Sequence, residues 1–159
     1  DHRDLHSFPT RRSSDLLLVP VDGSPLTERA IKISVELAQQ LGAAITGFIA
    51  EPLPPVPPGP RPAALMEQEA RESEELSGVH AREVLARFET AAQAAGVSFK
   101  GYHDQVARID RAIIAAAESQ GCDMIVMVTH GRGAFGEFLY GSQTKAVLAG
   151  SNLPLLVLH

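Results

Sequence analysis

"LLLVPVDGSPLTERAIKISVELAQQLGAAITGFIA", residues 16 to 50, decides the fold. Leu16 to Asp22 opens as a short continuous apolar run, which predicts a strand covered on both faces. Ser24 suits a helix N-cap and Pro25 the first helical position. Ile31, Val35, Ala38 and Leu41 then recur at helical spacing, and Gly42 closes the helix. Ala43 to Ala50 predicts a second strand. Strand, helix and strand in that order form the βαβ unit of a parallel sheet.

Glu51 to Pro62 holds seven prolines in twelve residues. Such a segment is extended and stiff, a connector over an edge or a docking stretch for a proline-recognising domain. Helical character returns from Ala63 to Ala95, with Gly78 a candidate break. Its acidic first part, "MEQEARESEELSG", reads as a solvated face, and Val79, Val84, Leu85, Phe88 and Ala92 as the apolar stripe. "GVSFKGYHD" supplies a third strand, with Val97, Phe99 and Tyr102 expected on one face. "VARIDRAIIAAAESQG" is a helix ended by Gly121, and "DMIVMV" a fourth strand. A glycine-rich loop follows, then a helix from Ser142 to about Ala149 and a last strand in "NLPLLVLH".

Five strands alternating with four helices predict an α/β fold: a doubly wound, five-stranded parallel sheet, Rossmann-like, with helices on both faces. In such sheets a ligand sits at the carboxyl ends of the strands where strand order reverses. If the first strand neighbours both the second and the fourth, "VDGS" and "VTHG" face each other across one crevice.

The chain has 159 residues, 45% of them hydrophobic, which is one domain's worth of core. Net charge is −5 and no basic stripe is present, so nucleic acid is not an expected partner. No apolar run approaches the roughly 20 residues that span a bilayer, and no signal-peptide core is visible, so neither membrane nor export is expected. The single cysteine, Cys122, excludes an intrachain disulfide and fits a reducing, cytoplasmic setting as core filler. Residues 1–16, "DHRDLHSFPTRRSSDL", lack periodicity and resemble the in-frame translation of a sequencing-library adapter. They read as a non-native or disordered tail, with the domain spanning 17–159 and its proline-rich connector 51–62.

The loop "VTHGRGAFGEFLYGS", Val128 to Ser142, carries the functional question. Gly131, Gly133 and Gly136 spell G-x-G-x-x-G. A dinucleotide fingerprint, however, follows the first strand of its unit and has an acid roughly 20 residues on, and "SNLPLLVLH" contains none. Gly136 to Ser142 spells G-x-x-x-x-G-S, but a P-loop needs lysine where Ser142 stands. The residues alone leave a phosphate cradle and a structural turn both open. Gly131 lets backbone approach a polyphosphate, and Gly141-Ser142 open a helix whose N–H groups and dipole favour an anion. Ser142 could equally cap its own helix.

From Leu17 to His159 the chain resembles the universal stress protein family, through "LVPVDGS", "GCDMIVM", "THGRGAFGEFLYGS" and "LPLLVLH". The family's ATP-binding branch carries G-x-x-G, nine residues, then G-[S/T]. Here nine residues separate Gly131 from Gly141-Ser142, and Val128 replaces the first glycine. The resemblance implies a nucleotide site of Pro20, Val21, Asp22, Ile49, Met127, Val128, Gly131, Gly141, Ser142 and Gln143. Asp22 would accept a hydrogen bond at the adenosine end and Ile49 pack on adenine. Arg132 is a candidate phosphate partner. The implied cofactor is ATP, with or without magnesium.

No catalytic constellation is evident: G-x-S-x-G and H-E-x-x-H are absent, and His80, His103, His130 and His159 fall on separate elements. The expectation is a cytoplasmic, dimeric, ATP-binding stress-response or signalling module that is not an enzyme. Its alternatives are a dimeric module whose site has lapsed at Val128, and a slow ATPase or autokinase. The homodimer, also implied by the resemblance, would use the strand 154–158, whose flat apolar edge would otherwise stay unpaired.

Overall fold

The computed structural model describes residues 15–129 and 141–159. The tail up to residue 14 and the loop positions His130, Gly131, Arg132, Gly133 and Gly136 lie outside the described residues. The order is β1 (Leu16–Pro20), α1 (Leu26–Leu41), β2 (Ala44–Pro52), α2 (Ala63–Ala94), β3 (Phe99–Val106), α3 (Ile109–Ser119), β4 (Met124–Val128), α4 (Ser142–Gly150) and β5 (Leu155–Leu158). All pairings are parallel, in the spatial order β3-β2-β1-β4-β5. The sheet is therefore doubly wound, with the winding reversed between β1 and β4.

β1 is covered on both faces, as its unbroken apolar run demands. Leu17, Val19 and Val21 pack with α1 and α2, whereas Leu18 packs with α3 and α4 beside Phe48, Ile125 and Val147. Its start is pinned across the sheet: the Leu16 N–H donates to the Asp123 carboxylate, and the Asp123 N–H to the Leu16 carbonyl, both at 2.8 Å. Leu16 thus belongs to the strand.

Several local expectations change. β2 runs two residues into the proline-rich segment, because Glu51 and Pro52 still pair with Gln105 and Val106 at the sheet's outer side. α2 is one helix through Gly78, which is buried against β3, so the glycine marks a close approach and not a break. Its inward stripe is Ala81, Val84, Leu85, Phe88 and Ala92; Val79 points out at 48% exposure. Leu41, in the last turn of α1, is likewise half-exposed. Phe99 and Tyr102 lie on opposite faces, since an interval of three cannot hold one face of a two-residue period. Phe99 packs on Phe88 at 4.8 Å between ring centroids, and Tyr102 on Phe48 at 4.6 Å.

The seat of Phe99 is made by a glycine pair. Gly47 and Gly101 stand side by side in β2 and β3. A Cβ on Gly47 would lie 2.7 Å from the Phe99 ring and 3.1 Å from Phe88, which backs that ring. Gly47→Ala should therefore lower the unfolding free energy by about 1–3 kcal/mol through overpacking. Phe99→Leu added to it should recover part of the loss. Urea denaturation reads both, and an unchanged midpoint in Gly47→Ala would show that the ring can retreat.

Candidate functional site

Parallel strands bring all the carboxyl ends to one side. A cavity of about 380 Å³ opens there between β1 and β4, within the usual size range of small-molecule sites. One wall is the end of β1 and the turn after it, Pro20, Val21, Asp22 and Ser24, with Leu26, Thr27 and Ala30 of α1. The opposite wall is Met127, Val128 and Thr129 with the start of α4, Gly141, Gln143 and Thr144. Ala50, Ile109 and Ile113 close the remaining side. "VDGS" and the valine and threonine of "VTHG" do face one another across this crevice.

The turn after β1 is tied by its own polar groups. Asp22 Oδ1 accepts the Ser24 N–H at 2.9 Å and the Thr27 hydroxyl at 3.3 Å. The Thr27 hydroxyl oxygen in turn accepts the Gly23 N–H at 2.9 Å. Ser24 supplies only its carbonyl, to the Thr27 N–H at 2.9 Å; no side chain caps the helix. Pro25 already has helical angles (φ −54°, ψ −23°), as its fixed φ favours.

Across the crevice, β4 continues in extended conformation to Val128, whose register partner is Leu158. That backbone suits a β-branched residue. The valine both lines the crevice and packs on the core cluster of α1 and α2. The Thr129 N–H then donates to the Leu158 carbonyl at 2.8 Å. α4 starts with Gly141 as its N-cap (ψ 154°), and among the described residues no side chain caps it. Ser142 is therefore the first helical residue and not the cap. A helix N-terminus presents backbone N–H donors and the positive end of the dipole, which suit an anionic ligand.

Of the residues picked from sequence, Pro20, Val21, Asp22, Met127, Val128, Gly141 and Gln143 line the crevice. Ser142 is exposed beside it and is not part of the lining. Ile49 is fully buried in the core under α1 and α2, and its neighbour Ala50 lines the crevice instead. Gly131 lies outside the described residues. Sequence reasoning missed Leu26, Thr27, Ala30, Ile109, Ile113 and Thr144. Periodic apolar residues on helices give no sign that a core face also borders a cavity.

Beside Ile109, Arg108 donates from Nε and Nη2 to the two oxygens of Asp110, at 3.1 and 2.9 Å. These hydrogen bonds hold the Asp110 carboxyl below its ordinary range, with the guanidinium charge helping. Elsewhere, burial pushes the Cys122 thiol up, as suits a core residue and not a nucleophile. Among the described residues no three His, Cys, Asp or Glu side chains gather as a metal site, and no helix is long and apolar enough to cross a membrane.

Doubly wound parallel sheets with a crevice at the β1–β4 switch point form a class of ligand-binding α/β domains. Residues 15–159 match the universal stress protein family, and the chain belongs to it. No curated protein matches the sequence. Similar solved structures include a universal stress protein family member from Burkholderia pseudomallei, 23% identical, with a TM-score of 0.66 over 92% of this chain and 97% of that one. Another is a universal stress protein in complex with cAMP, 20% identical, TM-score 0.63, covering 92% and 98% of the two chains. A third, from Archaeoglobus fulgidus in complex with dAMP, is 16% identical, with a TM-score of 0.58 and the same coverage. At these identities the likeness is one of fold.

The Asp110 pairing has a pH signature. A carboxyl whose folded pKa is depressed adds stability above its unfolded value, about 3.9, and loses it as pH falls through the folded value. Arg108→Ala should therefore be less stable than the natural protein at neutral pH. That gap should close as the pH drops below about 3.9. Denaturation midpoints across pH measure it; a gap that persists in acid would mean the arginine acts through packing.

Proposed function

We propose that the crevice binds an adenine nucleotide, with ATP as its ligand and any magnesium ion carried in on the phosphates. The observation that supports this most is the start of α4, with Gly141 as its N-cap, at the mouth of a cavity whose walls combine apolar Leu26, Ile113, Met127 and Val128 with polar Asp22, Ser24 and Thr27. The apolar residues suit a base, and the helix N-terminus suits phosphate. Solved members of the family in complex with cAMP and dAMP agree with that ligand class. Pro20, Val21, Asp22, Met127, Val128, Gly141 and Gln143 are the proposed contacts, with Gly131, Ser142 and Ile49 carried by family resemblance. In this reading the chain is a cytoplasmic stress-response or signalling module that acts by binding and not by catalysis. Ligand would stabilise the folded state by mass action.

Val128 favours one second reading, a lapsed site on an intact scaffold. Calorimetric titration of ATP with magnesium into the natural chain and into Val128→Gly separates the two. Micromolar binding by the natural chain is the expected result. Binding by the glycine variant alone would establish the lapsed site, and binding by neither would end the nucleotide reading.

We further propose a homodimer through β5. The carbonyls of Pro154 and Leu158 accept from β4. In a parallel ladder this turns the alternate residues, Leu155 and Val157, toward the open edge. Val157→Pro removes an outward N–H and leaves the β4 ladder intact. It should convert a dimer to monomer or aggregate on a sizing column; a dimer unchanged by it would place the interface elsewhere.

A further inference from the structure

We infer that His80 is a positioning residue for the crevice, holding the β1–α1 turn from the side opposite the ligand. The inference builds on the nucleotide reading. Gly23 has φ +77°, and a Cβ there would stand 2.5 Å from both Cε1 and Nε2 of His80 and 3.2 Å from Val84. The imidazole of α2 therefore lies directly on the turn, and glycine is what admits it. Its other nitrogen, Nδ1, is 3.1 Å from Glu51 Oε1 at the end of β2. A carboxylate only accepts, so the Nδ1 proton points to Glu51 and Nε2 is aimed over Gly23.

The turn is thus fixed on two sides. Within it, Gly23 and Ser24 donate their N–H groups to Thr27 and Asp22. Outside it, the ring oriented by Glu51 blocks retreat. Asp22 and Ser24, the residues that flank Gly23, line the crevice, and so does Ala50, the residue before Glu51. The His80 side chain is 49% exposed against 18% for Glu51, and His80 is not among the buried core residues. Its effect falls on the turn.

Two measurements decide. Amide hydrogen exchange on the ligand-free protein should show Gly23 and Ser24 exchanging roughly tenfold faster in His80→Ala, the scale of one lost hydrogen-bonded restraint, with β1 amides unchanged. Titration of ATP with magnesium should show His80→Ala and Glu51→Ala each roughly tenfold weaker and the double variant no weaker than either. Glu51→Gln, whose amide oxygen still accepts from Nδ1, should stay within about twofold. Unchanged exchange at the turn in His80→Ala overturns the inference, and so does unchanged affinity in a protein that binds ATP. If the natural chain binds no ATP, the nucleotide reading fails, and exchange alone settles the role of His80: faster exchange at the turn upholds it.

Discussion

Everything in this molecule follows from covering one strand. Leu17, Leu18 and Val19 of β1 are each 1% exposed or less, and β1 has a strand on either side. Successive side chains of a strand point to opposite faces, so helices must lie on both. Parallel neighbours need crossovers, and crossovers of one hand place the helices after β1 and β4 on opposite faces of the sheet. A gap between the two diverging connections is the geometric residue of that solution. The crevice is not carved by special residues; it is left where the winding changes direction.

What that gap can hold depends on which residues the geometry delivers to its rim. The strands deliver apolar ones, Val21, Met127 and Val128, because strand ends still serve the core. The turn after β1 and the start of α4 deliver the polar groups. Val128 belongs to both worlds: it extends β4 in comfortable backbone while bordering the cavity. The same side chain also packs on the core cluster of α1 and α2, so it serves the fold and borders the crevice at once.

Strand and helix order was legible because buried parallel strands are written as unbroken apolar runs separated by glycine and helical periodicity. The relation of β1 to both β2 and β4 needed only the usual winding. Less legible was anything that depends on a neighbour's surface. Gly78 looks like a helix breaker in sequence, yet in the fold it is a point of contact with β3. Val79 carries the right chemistry for the core and the wrong angle for it. Ile49 and Ala50 could be assigned to core and crevice only once the pleat of β2 was known. Asp22 was open between a turn role and a ligand role, and its Oδ1 serves the turn. His80 gave no signal at all, since its partners, Gly23 and Glu51, lie 57 and 29 residues away in the chain.

α2 is 32 residues long, about 48 Å at the usual rise, whereas β3 beneath it has eight residues, about 27 Å. The helix therefore overhangs the sheet. Between Pro62 and Leu76 every residue is exposed except the half-buried Ser73, which accepts a hydrogen bond from Gln105. This stretch is held by the helix-forming character of its alanine, glutamate and leucine and by local pairs such as Gln68 with Glu72. The half beyond Gly78 is held by Val84, Phe88 and Ala92 in the core. One continuous helix is thus held in two ways, by local pairs before Gly78 and by the core after it. The overhang can fray and re-form while the sheet stays closed, because none of the core rests on it.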